Sequence, residues 1–284
     1  MNARKIVLGY DRSSPSKAAA RWALDEAARS GAVVEFFYAH EWPAWAPAAV
    51  TGPAAAVQPD GEIDRATRGM LDEAVTDARH SHPTVRTAVS IVYDGAARTL
   101  IERSHEAGLI VLGSQGHSVV NGLLGSVSAA VSASARCPVI VVRGVQAADT
   151  PIVVGVDGSA WGQAALAFAT EEAAARHVPL RVVRAWSPVT DPRIGTPEVG
   201  EAERRSFGDL VDEWRQKHPE IEIVAEAVMQ HPAAALTELS AVAQLLVVGT
   251  RGRGPIRGLL LGSVSQHLLR HAACSVAVVH EPHS

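Results

Sequence analysis

LLVVGTRGRGPIRGLLLGSVS, residues 245–265, reads as a buried strand, a glycine-rich loop and the start of a helix. Leu245–Val248 is apolar at every position, as a strand covered on both faces must be, and only parallel sheets with helices on both sides bury strands so completely. The loop behind it holds Gly249, Gly252, Gly254 and Gly262, and Gly262-Ser263-Val264 opens the next helical pattern. LIVLGSQGHSVVNGLLGSVS, residues 109–128, repeats the arrangement.

The repetition extends over the chain. KIVLGYDRSS (5–14) returns as PIVVGVDGSA (151–160), and each copy runs into an alanine-rich stretch. LLGSVSAAVSASARCPVIVV, from Leu123, returns as LLGSVSQHLLRHAACSVAVV, from Leu260. A unit this long is a domain and not a solenoid repeat. Expected strands are 5–10, 33–39, 85–92, 109–114 and 139–143, then 152–156, 180–186, 222–228, 245–250 and 276–280. Helical patterns at 15–29, 64–80, 96–107 and 126–135, with counterparts in the second half, alternate with them. The order βαβαβαβαβ predicts two tandem doubly wound, Rossmann-like α/β domains, 1–144 and 151–284, each with a five-stranded parallel sheet flanked by helices. A short linker, 144–150, joins them. The proline- and alanine-rich stretch 41–62 reads as a long surface loop, because its prolines forbid helix and central strand alike.

Composition narrows the functions available. The chain has 284 residues, 26 Lys+Arg against 30 Asp+Glu, a formal charge of −4 and two cysteines. No basic footprint for nucleic acid stands out, and no disulfide framework is available. No apolar run approaches the ~20 residues that span a bilayer, nor does the N-terminal sequence read as a signal peptide, so a soluble cytoplasmic protein is expected. Cys137 and Cys274 occupy matching positions before the last strand of each half and read as small buried hydrophobes. The histidines show no HExxH or paired Cys/His spacing, and no metal site is assigned. Trp42, Trp45 and Trp186 lie at or beyond the ends of the second strands, as apolar cover or as flanks for a base.

In such sheets ligands collect at the carboxyl ends of the strands, where the strand order reverses. Strand one ends in Gly9-Tyr10-Asp11-Arg12-Ser13 and in Gly155-Val156-Asp157-Gly158-Ser159. An Asp followed by a Ser is a helix-cap signal, but here the Asp also recurs beside the glycine loop. In that loop, glycines let the backbone approach an anion, and the amides of Gly262, Ser263 and Val264 gather at a helix start. Arg251, Arg253 and Arg257 add charge. The three lysines, Lys5, Lys17 and Lys217, lie elsewhere, so this is a phosphate cradle without the P-loop lysine.

These residues resemble the universal stress protein family over nearly the whole chain, as two tandem copies. Its ATP-binding members carry G-x2-G-x9-G-[ST] after strand four, matched here by Gly249, Gly252, Gly262 and Ser263. The resemblance implies that Asp157, and Asp11 in the first half, meets adenine or ribose, and that the backbone near Ala185 or Ala39 contacts the base. It implies that the glycines and the Ser hold the phosphates of ATP, with Mg2+. Candidate nucleotide-binding residues are therefore Gly155, Asp157, Ala185, Gly249, Thr250, Arg251, Gly252, Arg253, Gly254, Gly262, Ser263 and Val264. Those of the first half are Gly9, Asp11, Ala39, Gly113, Ser114, Gln115, Gly116, His117, Gly125, Ser126 and Val127. The first loop is one residue shorter and lacks Arg and Lys, offering Gln115 and His117, so triphosphate is expected to bind more tightly in the second half.

The family also pairs through the last strand, so 139–143 and 276–280 are expected to pair within the chain as a pseudo-dimer, with a further homodimer. The implied function is a nucleotide-dependent regulator of stress response or growth acting on a protein partner, with at most slow ATP hydrolysis. Two alternatives stand beside it: a protein-interaction module that binds nucleotide in the second half only or not at all, and an adenylate-transferring enzyme. The sequence lacks the SGGxDS and HxGH signatures of the latter, and no base–nucleophile pair lies beside the loop.

Overall fold

The computed structural model describes residues 5–40, 61–116, 124–144, 149–186, 199–252 and 261–281. In the first half the chain runs through β1 (Lys5–Gly9), α1 (Ser14–Ser30), β2 (Val33–Ala39), α2 (Gly61–Ser81), β3 (Arg86–Val92), α3 (Ala96–Arg103), β4 (Leu109–Gly113), α4 (Ser126–Ser134) and β5 (Val139–Val142). The second half repeats the order as β6 (Ile152–Gly155), α5 (Ala160–Arg176), β7 (Leu180–Ala185), α6 (Val199–Lys217), β8 (Ile223–Val228), α7 (Pro232–Leu239), β9 (Leu245–Gly249), α8 (Ser263–His271) and β10 (Ser275–Val279), with a 3-10 turn at Ser240–Val242.

All ten strands form one sheet in the order β3-β2-β1-β4-β5-β10-β9-β6-β7-β8. The two expected parallel arrays are present, fused where β5 meets β10 antiparallel, with Val276 opposite Val141 and Ala277 opposite Ile140. Strands β4, β5, β9 and β10 at the centre are buried at every residue. The outermost strands β3 and β8 carry exposed positions, as edges do. Alternate side chains of each strand enter two separate cores. Ile6 and Leu8 join Ala23 of α1, Leu71 of α2, Leu166 of α5 and Phe207 of α6. Val7 faces the opposite side with Leu100 of α3, Val131 of α4, Leu236 of α7 and Leu268 of α8.

The helices start where the sequence supplies caps. The Ser13 hydroxyl accepts from the Ser16 amide at 3.2 Å, and Ser159 accepts from Gly162 at 3.1 Å. Helix α1 ends at Gly31, whose φ of 70° is the left-handed conformation that glycine adopts without strain. Most boundaries fall within a residue or so of the sequence reading, and two helix boundaries depart further. Helix α3 stops at Arg103, because the Ser104 hydroxyl turns back to the Ile101 carbonyl at 2.6 Å and accepts the Arg136 amide at 2.8 Å. Helix α2 begins at Gly61, inside the stretch read as loop; residues 41–60, with Trp42 and Trp45, lie outside the described residues.

Candidate nucleotide site

Within each half the strand order is 3-2-1-4-5, so the chain reverses direction between β1 and β4, and between β6 and β9. Connections leave these neighbouring strands toward opposite faces, which opens a crevice above their carboxyl ends. Asp11 and Asp157 stand at that point. Oδ1 of Asp157 accepts from the Ser159 amide at 3.0 Å and from its hydroxyl at 2.6 Å. Asp11 holds Ser13 in the same way, at 3.0 and 2.5 Å. The serine is thus the cap, and the aspartate orients the cap. Residue 158 between them has φ 80° and is glycine; Arg12 takes the same conformation at φ 66°.

The second oxygen of each aspartate faces the glycine loop. A Cβ placed on Gly116 would lie 2.9 Å from Asp11 Oδ2, and one on Gly252 would collide with Asp157 Oδ2. The loop returns over these contacts in both halves. Gly125 donates to the Ser114 carbonyl at 2.9 Å and Gly262 to the Thr250 carbonyl at 2.8 Å. Gly125 and Gly262 then cap α4 and α8 without any side-chain bond to the helix amides. Among the described residues no side chain caps either helix start, and such a start presents N–H groups and a positive dipole end to an anion.

Other glycines serve packing. A Cβ on Gly113 would fall 2.7–2.9 Å from Pro15, and one on Gly249 would fall 2.8–2.9 Å from Trp161, against backbone and Cβ atoms in the first turns of α1 and α5. Gly9 and Gly155 make room for Leu112 and Leu236. Thr250 is buried, and its hydroxyl donates to the Val279 carbonyl at 2.8 Å, so only its backbone faces the loop. The Arg251 guanidinium lies over the Trp161 ring, 5.9 Å from its centroid. Trp186 donates to Glu203 and meets Phe207 edge-on, so its ring serves as cover. His117, Arg253, Gly254 and Arg257 lie outside the described residues.

A cavity of about 400 Å3 occupies the first-half crevice, within the range of small-ligand sites. Gly9, Asp11, Ala39, Gly113, Gln115, Gly116, Gly125, Ser126 and Val127 all line it. Ser114 contributes its carbonyl to the loop closure instead. Sequence reasoning missed Tyr10, Ser16, Phe37, Tyr38, Leu100 and Ser128 in the same wall. Tyr10 packs edge-on against Phe36 at 5.6 Å, and burial raises its phenol pKa. Ser128 and its counterpart Ser265 donate to the Gly113 and Gly249 carbonyls at 2.8 and 2.7 Å, pinning each helix start to the strand before it. The second serine of G-S-V-S was the available signal. Asp11 is the one charged group among the described residues that line the cavity.

The universal stress protein family model matches the chain twice, at residues 2–143 and 150–280. The chain belongs to that family. Among individual relatives it is similar to universal stress protein Rv2005c of Mycobacterium tuberculosis, 33% identical over 97% of each chain. Universal stress protein Rv2623 of the same organism is 32% identical over 97% of this chain and 96% of its own. In structure it is similar to a universal stress protein from Archaeoglobus fulgidus, with a TM-score of 0.71, 19% identity, and coverage of 98% of this chain and 96% of the other. That likeness bears on the fold alone.

Proposed function

We propose that the chain binds adenine nucleotide at the two crevices and acts as a regulator, its conformation or assembly being the output read by a protein partner. The observation that carries this reading is the meeting of Asp Oδ2 with a loop glycine beside a helix start that no described side chain caps, in both halves. The carboxylate suits the hydroxyls of a ribose or the amine of a base, all of which donate. The amides of Ser126 and Ser263 suit phosphate. A hard cation such as Mg2+ takes oxygen ligands, and the serine hydroxyls at 126 and 263 are of that kind.

The two sites differ in charge. The first cavity is walled by neutral groups and one carboxylate, whereas the second loop adds Arg251 and the arginines beyond it. Charge-assisted bonds to phosphate are roughly twice as strong as neutral ones, so the second half is the triphosphate site and the first favours ligands carrying less charge. Calorimetric titration of the full chain with Mg-ATP tests this. We expect G252V to remove the tighter binding phase while G116V leaves it in place. Unchanged affinity in G252V, or loss of the tight phase in G116V instead, would overturn the assignment.

A further inference from the structure

We propose that the second half carries a binding site for a divalent transition-metal ion on helix α8, held by the imidazoles of His267 and His271. The two residues are one helical turn apart, so their side chains leave the same face. Their ring centroids are 4.4 Å apart, with the planes tilted by 37°. Neither ring makes an ion pair among the described residues, unlike His82 and His218, which lie against Asp25 and Glu220.

His231 caps α7, its Nδ1 accepting the Ala233 amide at 3.3 Å, so it stands by the pair and is not a ligand. Among the described residues no group of three His, Cys, Asp or Glu side chains converges, so the protein supplies two nitrogens and water completes the shell. Two imidazoles without a carboxylate or thiolate select Cu2+, Ni2+ or Zn2+ over Mg2+ and Ca2+.

The duplicated fold provides an internal control. Helix α4 matches α8 in length and in its capping glycine, and at the positions of His267 and His271 it carries Ala130 and Ser134. Gly95 caps α3 where His231 caps α7. The architecture therefore does not demand histidine at any of the three places, yet the second half carries it at each.

The variant H267A/H271S writes the first half's own residues into α8. Calorimetric titration of the full chain with Cu2+ should show wild type taking up one more equivalent than this variant, with at least tenfold tighter binding. Electron paramagnetic resonance of that equivalent should show two nitrogen ligands. Equal uptake and affinity in the two proteins, or a spectrum without paired nitrogens, would overturn the proposal. Nucleotide binding does not enter this measurement, so its outcome is independent of the reading above.

Discussion

The aspartate at the tip of the first strand has two oxygens, and this fold uses them differently. Oδ1 is committed to Ser13 or Ser159 and sets the helix entry. Oδ2 is pressed against Gly116 or Gly252. From sequence the residue reads equally as cap or ligand, because both readings need an oxygen in the same place. The glycine spacing is visible in the chain, but its cause is a contact between loops about a hundred residues apart, which no local pattern encodes. A valine at 252 drives the Asp157 carboxylate out of position, which is why G252V should lose nucleotide while retaining the fold. The cysteines make a second prediction at this scale. Burial pushes both thiols up to about 12. An unfolded thiol titrates near 8.5, so at pH 8 the folded protein holds roughly a thousandfold less thiolate. Iodoacetamide should label Cys137 and Cys274 only after denaturant is added; rapid labelling of the native protein would contradict their burial.

Among the elements, strands were the most legible, because runs such as Leu245–Val248 and Val139–Val142 are apolar at every position and match the buried central strands. Helix starts were legible through Ser13 and Ser159, whereas helix ends such as Arg103 depend on a serine that also accepts an amide from Arg136, far along the chain. The roles of Gly113 and Gly249 were only half visible. They lie in the phosphate motif, yet they are where α1 and α5 touch β4 and β9, helped by the small side chains of Ala19, Ala23, Ala165 and Ala169. Helix α5 meets Gly249 through backbone atoms of Trp161, which cannot rotate away. Gly249→Ala therefore forces the helix off the sheet, and overpacking of this kind costs about 1–3 kcal/mol. Chemical denaturation should give a loss of that size, whereas alanine at the exposed Gly69, whose Cβ would meet nothing, should leave stability unchanged or raised. Equal effects at the two positions would remove the packing role assigned to Gly249.

Across the whole molecule the two halves are joined by β5 and β10 and by a buried charge cluster that the sequence did not reveal, since Glu and Arg within a helix ordinarily read as a solvated face. Glu26 of α1 and Glu172 of α5 occupy equivalent places in the repeat, are both buried, and share Arg176, whose Nη2 lies 3.0 Å from one and 2.7 Å from the other. Arg176 also stacks over Trp22 of the opposite half, its guanidinium 5.2 Å from the ring centroid. The place equivalent to Arg176 in α1 is Ser30, so the repeat brings two carboxylates together but supplies one arginine between them, with Arg29 bonded to Glu26 at the rim. Removing that arginine strands buried charge: R176A should cost about 3–5 kcal/mol. Burial first, and then the Glu26 charge, raise the Glu172 pKa above its unfolded value. The folded state therefore binds this proton more readily than the unfolded chain. Its stabilising contribution is complete below the unfolded pKa and is lost as pH rises through the folded one. Glutamine mimics the protonated acid at all pH values, so E172Q should gain stability over wild type as pH rises toward neutrality, and the two should converge in acid. Thermal unfolding of both proteins from pH 4 to 8 measures the difference. E172Q falling below wild type as pH rises instead would mean that Glu172 is held ionised in the fold and that Arg176, not the paired carboxylates, dominates the junction.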